Sequence, residues 1–231
     1  MARNNIAGGT NGRIITIAAA ITLAAGAALS IGVTSASAGP DHARHAQTPA
    51  QEKAVVGRPA PDFTLTDLNG AEFTLSEALA EEGVNAVVIE WFNPDCPFVQ
   101  KHHKHNQTMA RLAAQFEERG VRWIAINSAA EGAQGAGIKR NKSAATECGI
   151  RYPILLDTYG EVGKLYEART TPQMFVIDGD GVLVYSGAID DNESMRKLGE
   201  VNYVEAALTA TLAGKAVETP VTKPYGCSVK Y

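Results

Sequence analysis

From Asn85 to Phe92 the chain reads Asn-Ala-Val-Val-Ile-Glu-Trp-Phe, an apolar run interrupted only by Glu90. A run of that kind predicts a central strand covered on both faces. Arg122–Asn127 (Arg-Trp-Ile-Ala-Ile-Asn) predicts a second. Between them Pro97–Arg119 predicts one long helix, stopped by Gly120. A glycine-rich loop, 132–137, then leads to a predicted helix over 138–148, a short strand over 152–156 and a short helix over 162–168. Past Thr171-Pro172, two apolar segments, 173–177 and 182–186, flank Asp178-Gly179-Asp180-Gly181, a hairpin turn. A last helix is predicted over 200–212. Upstream, Phe63-Thr64-Leu65 and Glu72-Phe73-Thr74 flank Asn69-Gly70, a second hairpin signal, and Ser76-Glu77 looks like a helix start. Strands alternating with helices imply the α/β class: a central mixed β-sheet, helices on both faces and an N-terminal β-hairpin.

The flanks differ in character. Arg3 and Arg13 precede an uncharged stretch, Ile14–Val33, which is followed by Ala36-Ser37-Ala38. Basic start, apolar middle and small-x-small end describe a secretory signal over 1–38, and export to the periplasm or outside the cell is expected. A retained membrane anchor is the alternative, because the stretch is long enough to span a bilayer. Residues 39–54 are polar and aperiodic, a flexible linker. The expected division is then a folded domain over 55–214 and a C-terminal tail over 215–231 that carries Cys227.

Net charge is −4, with no basic stripe, which argues against nucleic acid as a partner. Residues 1–38 hold two positive charges and no negative ones, so cleavage would take the protein from −4 to −6. Three cysteines, Cys96, Cys148 and Cys227, are too few for a disulfide-stapled scaffold. All three survive cleavage, and in an exported protein they meet an oxidising compartment where disulfides persist.

Cys96 falls at the junction of the first buried strand and the long helix, in Trp-Phe-Asn-Pro-Asp-Cys-Pro-Phe-Val (91–99). It is predicted at the helix N-cap with Pro97 at N1, where a missing N–H costs nothing. Unpaired N–H groups and the helix dipole favour an anion there, so the sulfur is expected to be an ionised nucleophile open to partners. A buried structural cysteine is the alternative.

These residues resemble the thioredoxin fold in its redoxin or peroxiredoxin-like (alkyl hydroperoxide reductase/thiol-specific antioxidant) form, over about Val55–Gly214. Cys96-Pro97-Phe98-Val99 sits where the thioredoxin Cys-x-x-Cys sits, and Thr171-Pro172 before a strand resembles the thioredoxin cis-proline loop. The resemblance implies that Thr171 and Pro172 pack beside the active cysteine and offer backbone groups to a docked peptide. It implies no cofactor. Two departures matter. Val99 replaces the second thioredoxin cysteine, and the peroxiredoxin Pro-x-x-x-Thr-x-x-Cys pattern fails, with Ile89 and Asn93 at the proline and threonine positions. The chain is most similar to an exported peroxiredoxin-like group that shares Asn-Pro-Asp-Cys-Pro-Phe-Val and the terminal Gly-Cys-Ser-Val-Lys-Tyr. The implied activity is thiol–disulfide exchange with a protein or small-molecule disulfide or thiol and an unidentified electron donor. A thiol peroxidase acting on peroxide is the alternative.

Glu90, six positions before Cys96, matches an acidic residue that accepts protons in thioredoxins, and is the candidate base. Cys148 ends a helix that should run away from the Cys96 pole, leaving it a small buried hydrophobe. Cys227 lies thirteen peptide links beyond Gly214, about 40 Å of extended chain, enough to return to Cys96. A Cys96–Cys227 pair and a free tail thiol are both open. His102 and His105, i,i+3 on the predicted helix, could join Cys96 in a copper or zinc site, though a solvated face shared with Lys101 and Lys104 fits the pattern better. Asp190 and Asp191 are expected as solvated acids after the last strand.

Overall fold

The computed structural model describes residues 52–231. The predicted signal, its Ala38 cleavage site and most of the predicted linker lie outside the described residues.

A seven-stranded mixed sheet runs in the order β2-β1-β5-β4-β3-β7-β8. Its strands are β1 (Thr64–Asp67), β2 (Glu72–Thr74), β3 (Ala86–Trp91), β4 (Val121–Asn127), β5 (Ile154–Leu156), β7 (Gln173–Asp178) and β8 (Leu183–Gly187). β3, β4 and β5 are parallel neighbours, and the remaining pairs are antiparallel. A separate two-stranded piece joins β6 (Thr170–Thr171) to β9 (Cys227–Ser228). The hairpin β1–β2 turns where expected, with Gly70 at φ +89, a conformation glycine adopts without steric cost.

β3 is buried along its whole length, as its apolar run requires. Its side chains alternate between two cores. Val87, Ile89 and Trp91 pack with Ile124, Ile126, Phe175 and Tyr166 on one face, under α1 (Leu75–Ala80) and α5 (Glu161–Leu165). Ala86 and Val88 pack with Met109, Leu112 and Phe116 of α3 (Thr108–Glu117) and with Val204, Ala207 and Leu208 of α6 (Tyr203–Leu212) on the other. Asn202 caps α6 by accepting the Glu205 N–H at 2.9 Å. Glu90 belongs to the second face by the same alternation, an acid on a strand with no exposed position. Among the described residues no helix is long and apolar enough to cross a membrane.

The predicted 97–119 helix is not continuous. α2 (Pro97–Gln100) passes into a π-helical segment, Lys101–His105, and α3 starts only after Asn106 and Gln107. Gln107 has φ +52, in the left-handed region. The wider π turn buries Lys101, His102 and His103 in succession, which a regular α-helix with one apolar stripe does not do. The expected solvated basic face is therefore corrected. Its partners are the structural reason, and they belong to the site.

Candidate active site

The loop after β3 presents Cys96. Asn93 shapes it: its carbonyl accepts the Cys96 N–H at 3.1 Å, its Oδ1 accepts the Asp95 N–H at 2.9 Å, and its Nδ2 donates to the Gln134 carbonyl at 2.9 Å. Gly135 has no side chain at the point where a Cβ would strike the Asn93 amide, so the glycine-rich loop packs directly on this turn. Arg140 of α4 (Ile138–Cys148) donates to Asp95 at 2.8 Å. Cys96 occupies the N-cap of α2 and Pro97 the first turn, as the sequence predicts.

The Cys96 sulfur touches two groups. It lies 2.9 Å from the Thr171 carbonyl oxygen and 2.8 Å from the Cys227 sulfur. The Thr171–Pro172 bond is cis. Tail and body are thus joined at this point: β9 lies antiparallel to β6, with Thr171 opposite Cys227 and Thr170 opposite Ser228. Burial first, then the hydrogen bond and the charge of neighbouring Cys96, push the Cys227 thiol up to about 12. Cys227 therefore keeps its proton at neutral pH.

Cys96 is 1% exposed. The expectation of an open sulfur is corrected: the tail strand lies against it, and Cys227, half-buried, is the less buried residue of the two. Glu90 also departs from expectation. Its Oε1 meets His103 Nε2 at 2.7 Å and its Oε2 accepts from the Tyr152 hydroxyl at 3.2 Å, and no hydrogen bond joins it to Cys96. Burial and the Glu90 charge push the Tyr152 phenol well up, so it remains a donor. Cys148, at the end of α4, is half-buried rather than fully buried, and it is a free thiol, as Cys96 and Cys227 are. Burial, then neighbouring Glu147, raises its pKa.

Three functional candidates escaped the sequence reading. Tyr225 is one. Its hydroxyl lies 3.1 Å from Lys101 Nζ and 2.9 Å from His102 Nε2, and it donates a short bond to Asp190. Lys101 also reaches Asp190 at 3.3 Å and donates to the Asn192 carbonyl at 2.6 Å. Asp190 is thus buried and paired, not a solvated acid. Burial opposes its charge, but hydrogen bonds from Tyr225 and the Gly199 and Asn192 N–H groups outweigh that and hold its pKa below the ordinary value. Burial brings the His102 pKa down to about 3 against the pull of Asp190, so the ring is neutral. His102 is therefore committed to Tyr225, whereas His105 is exposed, and the histidine pair does not gather around Cys96. Among the described residues no group of three His, Cys, Asp or Glu is placed to hold a metal.

Gly226 and Tyr231 are the others. A Cβ on Gly226 would strike the Thr171 carbonyl, so only glycine lets the tail run this close. Tyr231 donates to the Ala168 carbonyl at 2.7 Å and lays its ring on Gly160 and Gly163. The terminal Gly-Cys-Ser-Val-Lys-Tyr motif holds Gly226 and Tyr231 but assigns neither a role, and Tyr225 precedes it.

The AhpC/TSA family profile matches residues 56–186, the span that holds the sheet, Cys96 and the Thr171-Pro172 bend. This chain belongs to the AhpC/TSA family. Among its relatives, the thiol-disulfide oxidoreductase ResA of Bacillus thuringiensis is 27% identical over 134 residues, covering 58% of this chain and 70% of that protein. The thiol:disulfide interchange protein DsbE of Yersinia pestis is 28% identical over 145 residues, 62% of this chain and 69% of that one. A solved structure of a hypothetical protein from Sinorhizobium meliloti matches with a TM-score of 0.67 at 29% identity, covering 78% of this chain and 97% of that one. The expected thioredoxin-like architecture and the expected kinship with thiol–disulfide oxidoreductases both agree with these AhpC/TSA and thioredoxin-like relatives.

Proposed function

We propose that this AhpC/TSA member is an exported thiol–disulfide oxidoreductase whose redox pair is Cys96 and Cys227, with Thr171 and Pro172 framing the exchange. One observation carries the reading: two cysteines 131 positions apart place their sulfurs 2.8 Å from each other, with the Thr171 carbonyl 2.9 Å from the Cys96 sulfur. In the oxidising direction the Cys96 thiolate attacks one sulfur of a substrate disulfide, and the other sulfur leaves as a thiolate and takes a proton. Cys227 then gives up its proton and attacks the Cys96 sulfur. The mixed disulfide breaks, the second substrate thiolate leaves, and Cys96–Cys227 holds the two electrons' worth of oxidation. The high Cys227 pKa, set first by burial, suits a resolving thiol that keeps its proton until it attacks. Proton handling falls to this thiol rather than to Glu90. Disulfide-bearing or thiol-bearing partners follow from this chemistry, and the terminal segments, a signal over 1–38 and a tail over 215–231 appended to a 55–214 domain, complete the proposal.

Peroxide reduction is a second reading. It needs an activated sulfur that a small oxidant can reach, and here Ile89 and Asn93 stand where the peroxidase pattern has proline and threonine. Thiol–disulfide exchange takes precedence. The test is a non-reducing peptide map of the mature protein after treatment with a disulfide oxidant. The expected product is one cross-linked peptide pair containing Cys96 and Cys227, with Cys148 free. Recovery of Cys96 and Cys227 as separate oxidant adducts would sink the pairing.

A further inference from the structure

The tail is fastened unequally on the two sides of Gly226. On one side Tyr225 is 7% exposed and fixed in the buried cluster of Asp190, Lys101 and His102. On the other, Cys227–Tyr231 is held by the two-residue ladder to β6, by Val229 N–H to the Arg169 carbonyl at 3.1 Å, by the Ala130 N–H to the Lys230 carbonyl at 2.8 Å and by the Tyr231 hydroxyl. That second part lies at the surface, with Tyr231 46% exposed. Gly226 between them has φ +145, a conformation that favours glycine. A deep anchor, a glycine and a shallow leaf are the parts of a hinge. The leaf lies against Cys96, and of the two residues the half-buried Cys227 is the one that keeps exposed area.

We propose that Gly226–Tyr231 is a latch, hinged at Gly226 and anchored by Tyr225, that sends the two half-reactions to different sulfurs. This rests on the Cys96–Cys227 pairing above. Closed and oxidised, the latch offers only Cys227 to an incoming thiol. That thiolate attacks Cys227, the Cys96–Cys227 bond breaks, and Cys96 leaves as a thiolate. A second thiolate attacks the incoming partner's sulfur, so the two thiols depart as their disulfide and Cys227 recovers its proton. The reduced latch is no longer stapled to Cys96: with both thiols free it rests on β6 through hydrogen bonds alone, as the structure shows. When it opens transiently about Gly226, Cys96 meets an oxidising disulfide. Only a few hydrogen bonds must open for this, and local openings of that size cost far less than global unfolding.

Two measurements test it. A short pulse of glutathione on the oxidised wild-type protein, quenched in acid and mapped, is expected to leave glutathione on Cys227, and glutathione on Cys96 overturns the proposal. The second compares Cys227→Ser with the double variant Gly226→Ala/Cys227→Ser at one pH. The added methyl cannot fit beside the Thr171 carbonyl, so the latch should fail to seat and Cys96 should react with iodoacetamide at least tenfold faster. Equal rates in two folded variants overturn it, and if the double variant does not fold the glutathione pulse alone decides. Absence of the Cys96–Cys227 cross-link in the peptide map strikes the redox pairing, whereas equal alkylation with the cross-link present strikes the latch alone.

Discussion

The Tyr225 hydroxyl is the buried anchor among the contacts that hold the tail to the body. Replacing it by Phe keeps the ring, and with it the contact to Phe98 at 5.9 Å between centroids. It removes the partner of the buried His102 Nε2 and one acceptor of Lys101. Leaving buried polar groups unsatisfied costs roughly 1–3 kcal/mol, more than the hydrogen bond itself contributes. Tyr225→Phe should lower stability by about that amount in urea unfolding. An unchanged midpoint would show that the cluster does not fasten the tail. Individual residues were legible in proportion to how local their chemistry is. Cys96 at an N-cap followed by proline is a statement about neighbours in the chain, and the structure agrees. Lys101 and His102 look like solvated residues because their partners are 89 and 123 positions away. Nothing in the spacing of a basic run says that an aspartate and a tyrosine will close over it. Cys227 lay between these cases: chain length showed that it could reach Cys96, but only the β6–β9 ladder brings it there.

The broken helix is the main lesson at the scale of elements. Strands were legible because a fully buried strand has its own signature, a continuous apolar run, and β3 and β4 appear within a residue of expectation. The segment 97–119 has neither glycine nor an interior proline, so local propensity gave no reason to interrupt it. Tertiary demand interrupts it: Lys101, His102 and His103 must all face inward, and the π turn and the left-handed Gln107 absorb the mismatch. Gln107→Gly discriminates between the two geometries by sign. Within a continuous helix glycine costs about 1 kcal/mol. At a left-handed residue it relieves a strain of roughly 1–2 kcal/mol while losing part of that to chain entropy. Thermal unfolding should therefore show a gain of about 0.5–1 kcal/mol. A loss would mean that the helix runs through.

For the molecule as a whole, the Tyr225 cluster ties together three distant stretches: the π segment, the loop after β8 and the tail. Its response to acid is fixed by sign. His102 has a folded pKa of about 3 against an ordinary 6.5, because burial disfavours its charged form. Below pH 6.5 the unfolded chain takes up a proton there that the folded chain refuses until about pH 3. Stability from this group is thus complete above pH 6.5 and drains away as the pH falls toward 3. Asp190 acts in the same direction, since its folded pKa is depressed and its contribution also fades as acid protonates it. Lys101 and His103, the other basic groups facing His102, oppose its protonation and steepen the response. The melting temperature should accordingly fall between pH 6.5 and pH 4, and His102→Gln, which cannot titrate, should flatten that limb even though it starts from a lower stability. Because the tail is tied in at this cluster, accessibility of Cys96 to iodoacetamide should rise along the same limb, once corrected for thiolate fraction with the unfolded protein as standard. Parallel melting curves for the wild type and His102→Gln from pH 7 to pH 4 would mean that the cluster's charge state is not what joins tail to body, and the neutral buried imidazole would lose its place in this account.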